Sequence, residues 1–369
     1  MVPLTPQELA RYARHLTLAQ VGLAGQTKLK NASILIVGAG GLGSPAALYL
    51  AAAGVGRIGL VDFDGVEVSN LQRQILHGTS QVGRPKLDSA VARLGDLNPH
   101  VTLEPFPTRL SGANAPEILS RFDLTIDGTD NFPTRYLINA ASVHLGKPFI
   151  YGSIDRFAGQ VAVFGAPGGP CYRCLFPEPP AEDLIPNCAM AGVLGVVPGV
   201  VGTLQATEAI KLILGIGSPL VGRLLLYDAL SARVQEVAIR RDPACPGCGG
   251  RRVEPPEPLA TAPIPSEITV AELARLTTGD GATVAILDVR EDWEWDLGRI
   301  EGARHIPLPS LGERLDELDR GLEIVAVCHK GSRSRLAQQI LGAAGFRARS
   351  LAGGIDAWAA EIDQRILRY

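Results

Sequence analysis

Six cysteines punctuate the 369-residue chain, and four of them form two C-x-x-C pairs, Cys171/Cys174 and Cys245/Cys248. Two such knuckles offer four thiolates to a tetrahedral zinc ion, and their wide separation makes the metal a staple between distant parts of one domain. A redox C-x-x-C explains either pair alone, not both. Cys188 lies between the pairs, in Ile185-Pro186-Asn187-Cys188-Ala189-Met190. A loop thiol of this kind is either a small buried hydrophobe or a reactive group, and the pattern leaves both open. Cys328 has a sharper context. It follows the apolar run Glu323-Ile324-Val325-Ala326-Val327 and opens Cys328-His329-Lys330-Gly331-Ser332-Arg333, ahead of a helix expected over residues 335–344. A cysteine at a strand end, followed by a loop into a helix N-terminus, is a nucleophile site. Loop amides, the helix dipole, Lys330 and Arg333 all favour a thiolate or a bound anion. A buried structural cysteine does not account for the cationic loop.

A second constellation surrounds Gly38-Ala39-Gly40-Gly41-Leu42-Gly43. The run Ile34-Leu35-Ile36-Val37 before it reads as a parallel strand buried on both faces, and the alanine-rich stretch after it as a helix. In that context Gly38 permits the tight turn, Gly40 lets a phosphate or ribose approach the backbone, and Gly43 lets helix and strand pack closely. The helix N-terminus then faces an anion with free N–H groups. Asp62 ends the next strand, Ile58-Gly59-Leu60-Val61, at the distance expected of a carboxylate that holds a ribose hydroxyl pair. The glycines and Asp62 alone suggest NAD. Asn70 and Arg73, one helical turn apart, and Lys86, in the first turn of a helix opened by Gly83-Arg84-Pro85, have no task in a dehydrogenase. They suit a triphosphate, whose oxygens a guanidinium and an ammonium neutralise. Asp127 and Asp130 follow the buried strand Leu124-Thr125-Ile126, at the carboxyl end where ligands of open α/β sheets bind, and are candidates for Mg²⁺. Capping is the competing role: Asp127 for the turn, Asp130 for a helix over residues 132–144.

The elements that must position these residues make an α/β protein of two parts. Residues 1–248 read as a Rossmann-like nucleotide domain closed by the zinc knuckle. Residues 249–267, with Pro255, Pro256, Pro258, Pro263 and Pro265, read as a semi-extended linker. Residues 268–369 restart a smaller α/β pattern with a strand over residues 284–290. The N-terminal residues 5–30 are expected to be helical and partly exposed, with Arg11 and Arg14 at helical spacing. Helices near 115–121 and 201–215, and strands near 101–105, 148–151, 160–164 and 223–227, complete the first domain. Hydrophobic residues make up 46% of the chain and charged ones 20%, as in a well-cored soluble protein. A net charge of −3 gives no reason to expect a nucleic-acid partner. The N-terminus lacks a signal-peptide core. The uncharged stretch 189–207, broken by glycines, Pro198 and Gln205, favours a buried core segment over a membrane span, so a cytoplasmic protein is expected.

Taken together, GAGGLGSP, VDFDGVEVSNLQRQ, GRPK, DGTDN, CYRC and CPGC resemble the MoeB/ThiF-type adenylyltransferases, relatives of the ubiquitin-activating enzymes, over residues 8–250. Residues 268–369 resemble a rhodanese domain through LDVRE, GARHIPL, CHKGSR and LAGGIDAW. The combination resembles the two-domain enzymes that activate sulfur carriers. The resemblance implies that Gly41 and Asp62 contact the adenosine of ATP, that Asn70, Arg73 and Lys86 hold the phosphates, and that Asp130 holds Mg²⁺. It implies a homodimer in which Arg14 reaches the phosphates of the other subunit. It gives Zn²⁺ to the four knuckle cysteines, sulfur transfer to Cys188 and a persulfide to Cys328. The implied partners are a ubiquitin-like sulfur carrier of the MoaD/ThiS kind and a sulfur donor such as thiosulfate or a cysteine desulfurase, in molybdopterin, thiamine or tRNA-thiolation pathways. Related phosphatases carry a loop one residue longer than Cys328–Arg333, and the shorter loop suits a single added sulfur. The competing readings are a dehydrogenase with a rhodanese appendage, a nucleotide-binding scaffold without catalysis, and phosphatase chemistry in the second domain.

Overall fold

A computed structural model describes residues 2–179, 192–249, 267–277 and 284–369. They fall into two compact units, one holding the described residues up to 249, the other those from 267 onward. Cys188 and the proline-rich segment 250–266 lie outside the described residues.

The first unit is organised around strand β1 (Ser33–Val37), five residues buried throughout. Alternation along the strand feeds two cores. Ile34 and Ile36 pack with Leu50 of α4 (Gly43–Ala53) and Leu94 of α5 (Lys86–Leu97); Leu35 and Val37 pack with Leu119 of α6 (Ala115–Ser120) and Ile138 of α7 (Phe132–Leu145). Each such side chain contributes about 1.5–3 kcal/mol on burial. β1 therefore has to be apolar on both faces, and it is. With β2 (Arg57–Asp62), β3 (Thr102–Pro107), β4 (Leu124–Asp127), β5 (Phe149–Asp155), β6 (Ala158–Phe164), β7 (Arg223–Asp228) and β8 (Arg233–Ala238) it forms one sheet of order β3-β2-β1-β4-β5-β6-β7-β8. The first five strands in that order are parallel and the last three run antiparallel. β1 connects onward to one side of the sheet and β4 to the other, so a crevice opens at their carboxyl ends.

Three local differences from the sequence reading have physical causes, and the apolar stretch near residue 200 packs into the core as expected. The N-terminal stretch is not one helix: it divides into α1 (Pro6–Arg11), α2 (Ala13–Leu16) and α3 (Gly22–Asn31). Tyr12 breaks the first two because its ring is buried, with its hydroxyl accepting from Asn98 Nδ2 at 2.8 Å. Asn131, not Asp130, caps α7, accepting from the Thr134 amide at 3.0 Å. The apolar stretch near residue 200 forms α9 (Val196–Leu214), long and apolar enough to cross a membrane, yet packed on α4, β5 and β6. Its buried Gln205 donates to the carbonyls of Asp127 at 2.7 Å and Ile150 at 3.1 Å, tying β4 to β5. β8 had no counterpart in the sequence reading, because every one of its residues is exposed at the sheet edge and no apolar pattern marks it. The remaining helix of this unit is the short α8 (Tyr172–Leu175).

The second unit is a five-stranded parallel sheet of order β11-β10-β12-β13-β9, from β9 (Glu267–Ile268), β10 (Val284–Asp288), β11 (Arg304–His305), β12 (Glu323–Val327) and β13 (Ala348–Leu351). Its helices are α10 (Val270–Thr277), α11 (Asp292–Leu297), α12 (Ser332–Ala343) and α13 (Gly354–Glu361). Alternation again builds two cores: Val325 and Val327 meet Trp358 of α13, while Ile324 and Ala326 meet Leu341 of α12.

Candidate functional site

The glycine turn leaves β1 through Gly38, whose φ of +95° favours glycine and whose added Cβ would sit 2.8 Å from the Gly128 carbonyl oxygen. At Gly43 a Cβ would fall 1.8 Å from the Gly38 carbonyl oxygen, so only glycine lets α4 close onto the turn. Beside this turn lies a cavity lined by Gly38, Gly40, Gly41, Asp62, Arg73, Lys86 and Asp130, gathered from five separate segments. Neither Asn70 nor Arg14 is among the lining residues; Arg14 is exposed on α2.

Asp62 does more than face the cavity. Its Oδ2 accepts from the Ala39 amide at 2.8 Å and its Oδ1 from the Asp64 amide at 2.9 Å, so the carboxylate also fixes the turn. Lys86 is buried and holds Asp64 Oδ2 at 3.1 Å. Arg73 is half-buried and donates to the Ser69 carbonyl at 3.1 Å. Asp130 is exposed. Asp127 instead turns inward: it is fully buried, and its Oδ1 accepts from the Thr129 amide and hydroxyl at 3.0 and 2.6 Å. Burial pushes the Asp127 carboxyl up, against the opposing pull of Arg135. This residue braces the turn from behind, and Arg135 helps by donating to the Thr129 carbonyl at 3.1 Å. The lining also includes Gln74, and Arg109 stacked at 4.3 Å over Phe63. Gln74 sits inside the quoted NLQRQ motif and was within reach of the sequence; Arg109 has no local signal at all.

The cysteine loop of the second unit is tighter. Cys328 is fully buried at the end of β12, and its Sγ accepts from the Gly331 amide at 3.1 Å, with Ser334 Oγ at 3.5 Å. The first amides of α13 take the loop carbonyls: Ile355 donates to Cys328 at 2.8 Å and Asp356 to His329 at 3.1 Å. The amides opposite those carbonyls therefore point away from α13. Arg333, a candidate thiolate stabiliser, is engaged elsewhere: both its terminal nitrogens bond the Glu294 carboxylate. Burial would raise the Glu294 carboxyl, but the bonds from Arg333, the Glu291 amide and Tyr369 outweigh it and bring the group down to about 2. The Tyr369 hydroxyl donates to Glu294 at 2.7 Å, and its ring stacks on His329 at 4.2 Å. Glu294 and Tyr369 escaped the sequence reading, because nothing local marks a partner that lies 39 residues from its arginine.

The two C-x-x-C pairs meet. Their four Sγ atoms lie within 4.8 Å of one another, with Cys171–Cys245 at 3.6 Å, Cys174–Cys248 at 3.5 Å and Cys171–Cys174 at 4.0 Å. A tetrahedron with zinc–sulfur bonds of about 2.3 Å sets sulfurs about 3.8 Å apart, so the donor set fits that ion.

Comparison with known proteins agrees with this geometry. The ThiF family model matches residues 12–247, and the rhodanese-like domain model matches residues 269–361. The chain belongs to the ThiF family and carries a rhodanese-like domain at its C-terminal side. It is 45% identical to the probable adenylyltransferase/sulfurtransferase MoeZ of Mycobacterium tuberculosis, over 99% of this chain and 96% of that one. It is 41% identical to the adenylyltransferase and sulfurtransferase MOCS3 of Sus scrofa, over 99% of this chain and 89% of that one. The sulfur carrier protein adenylyltransferase of Thermus thermophilus is 57% identical over 66% of this chain and 92% of its own length. Among solved structures, the ATP complex of E. coli MccB covers 65% of this chain and 73% of its own, with a TM-score of 0.56 and 24% identity, a likeness of fold. The chain is an adenylyltransferase joined to a sulfurtransferase.

Proposed function

We propose that this enzyme adenylates the C-terminal glycine of a ubiquitin-like sulfur carrier and then converts it to a thiocarboxylate with sulfur carried on Cys328. The observation that supports the reading is the single cavity in which Arg73, Lys86 and Asp130 converge on the glycine turn, in a chain that also presents Cys328 at the head of a helix.

The carrier carboxylate attacks the α-phosphorus of ATP and pyrophosphate departs, leaving an acyl-adenylate. Lys86 and Arg73 stabilise the charge that develops on the phosphate oxygens, and amides at the start of α4 face the same anion. Asp130 would hold Mg²⁺, which when bound neutralises phosphate charge. Arg14 acts from the second subunit of a homodimer, in keeping with its place outside the cavity of its own chain. The terminal sulfur of a Cys328 persulfide attacks the acyl carbon, and AMP leaves with the electrons of the broken acyl–oxygen bond. The product is an acyl disulfide between carrier and Cys328. A second thiol attacks the Cys328 sulfur, the thiocarboxylate leaves, and a disulfide remains for an external thiol to reduce. We assign that second thiol to Cys188. The four knuckle cysteines would hold a structural zinc. The setting is cytoplasmic, the donor thiosulfate or a protein persulfide, and the pathway molybdopterin, thiamine or tRNA thiolation.

The test is carrier-dependent exchange of labelled pyrophosphate into ATP, followed by mass spectrometry of the carrier for replacement of one oxygen by sulfur. Exchange and thiocarboxylate formation are both expected. Absence of exchange with every carrier tried, from a folded enzyme that binds ATP, would overturn the reading; exchange that does not need a carrier would do the same.

A further inference from the structure

A chain of hydrogen bonds, closed through the first turn of α5, runs behind the glycine turn, and one member has no role in the chemistry above. His77 is buried, 7% exposed, between the turn and helix α5. Its Nε2 lies 2.9 Å from the Ala39 carbonyl oxygen and its Nδ1 3.0 Å from Ser89 Oγ. Ser89 stands on the first turn of α5, the helix that Lys86 opens. Lys86 Nζ reaches Asp64 Oδ2 at 3.1 Å, the Asp64 amide donates to Asp62 Oδ1 at 2.9 Å, and Asp62 Oδ2 takes the Ala39 amide at 2.8 Å. Ala39 is thus gripped on both sides, its N–H by Asp62 and its carbonyl by His77. The circuit links the backbone of the turn to the lysine.

We propose that His77 is a positioning residue for the nucleotide site: it fixes the Ala39 carbonyl and Ser89 at once, and so sets where the glycine turn lies relative to Lys86. The inference rests on the reading of this cavity as an ATP site. The hydrogen-bonding pattern assigns the imidazole tautomer. A carbonyl oxygen only accepts, so Nε2 carries the proton; Nδ1 then accepts from the Ser89 hydroxyl. An ordinary core histidine would also be satisfied by two bonds. This one joins two segments that each line the cavity, and a change in it must be felt there. Protonation puts a second N–H against Ser89 and a positive charge near Lys86. Burial and Lys86 lower the pKa of the ring, against the Ala39 bond and Asp62, which raise it. The charged groups that face it are Lys86 and Asp62. The neutral ring is the one that fits.

The test uses the full chain. ATP binding is measured by calorimetry, and the KM for ATP and kcat by carrier-dependent pyrophosphate exchange, from pH 5.5 to 8. His77→Phe removes both bonds and leaves a buried carbonyl without a donor, so the KM for ATP should rise about tenfold, with a smaller change in kcat. His77→Gln restores one donor to Ala39 and should recover most of the loss. Ser89→Ala should raise the KM about threefold. In the wild type the KM should climb only on the acid side of the ordinary imidazole value of about 6.5, because burial holds the ring neutral to lower pH, and this acid limb should vanish in His77→Gln. A His77→Phe protein with wild-type KM and an unchanged pH profile overturns the proposal. If His77→Phe fails to fold, a Ser89→Ala protein with wild-type KM and a His77→Gln protein that keeps the acid limb overturn it together. A wild-type enzyme that binds no ATP removes the underlying reading and this inference with it, whereas ATP binding indifferent to His77 and Ser89 removes the inference alone.

Discussion

The turn after β1 and the turn after β12 share one plan: a buried parallel strand ends, the chain bends sharply, and a helix begins. They differ in where their charged groups come from. Around the first turn the cations arrive from afar, Arg73 from one loop and Lys86 from the start of α5, and they border an open cavity. Around the second, the loop Cys328–Arg333 is compact, its carbonyls are tied to α13, and its arginine is already satisfied by a buried glutamate. The first arrangement leaves room and charge for a large, multiply charged ligand. The second closes on one sulfur and uses its arginine to hold the loop's shape. On the proposed reading, the same local architecture makes a phosphate site or a sulfur site according to where its cations stand: Arg73 and Lys86 border the cavity, Lys86 with Asp64 beside it, while Arg333 is held by Glu294.

The sharpest way to break this comparison is to remove the sulfur atom. Cys328→Ala in the full chain should abolish sulfur transfer from thiosulfate to cyanide while carrier-dependent pyrophosphate exchange continues at the wild-type rate. Residual transfer, or phosphatase activity on an aryl phosphate that needs Cys328, would show that the second turn is misread. Next in size is the loss of a cation at the first turn. Lys86→Met should lower exchange by about 10²-fold, because a charge directed at developing phosphate charge is withdrawn from a partly enclosed site. Thiosulfate–cyanide transfer should not change, and an equal loss in both assays would argue against two separate turns.

The four-cysteine cluster, as a candidate zinc site, tests whether one unit can be weakened without the other. Elemental analysis should give about one zinc per chain, and Cys245→Ser should lower the melting temperature of the first unit by about 10 °C while the second melts as before. Metal-free protein with unaltered melting would sink this. The effect with the narrowest reach, confined to acid pH, concerns Glu294. Its carboxyl is held at about 2 in the folded chain against an ordinary value of 4.5. A depressed carboxylate stabilises the fold above its unfolded value and loses that contribution as pH falls through the folded one. The second unit should therefore lose about 3 kcal/mol between roughly pH 4.5 and 2, and Glu294→Gln should start weaker and flatten that slope. Acid unfolding curves followed by the tryptophans, all three of which lie in the second unit, would read it directly.

Much of this protein was legible without coordinates, for reasons that particular residues make plain. Ile34 to Val37 had to be a two-faced buried strand, the glycines after them had to turn, and Gly43 had to be small; these are constraints between near neighbours. The cysteine pairs were legible over 74 residues because four thiolates at knuckle spacing have few other uses. Partnerships without such a chemical signature were not. Arg333 chooses Glu294, and His77 chooses Ala39 and Ser89, from many acids, hydroxyls and carbonyls that the sequence offers equally. Asp127 and Asp130 stand three residues apart, yet one braces the turn from inside and the other faces the solvent. Local spacing determined the turns and marked Cys328 as the candidate nucleophile, but only the packing of the sheets decided which charged groups are held in the structure and which border the cavity. That is because a buried polar group must be paired, and the fold alone determines which partner lies within 3 Å.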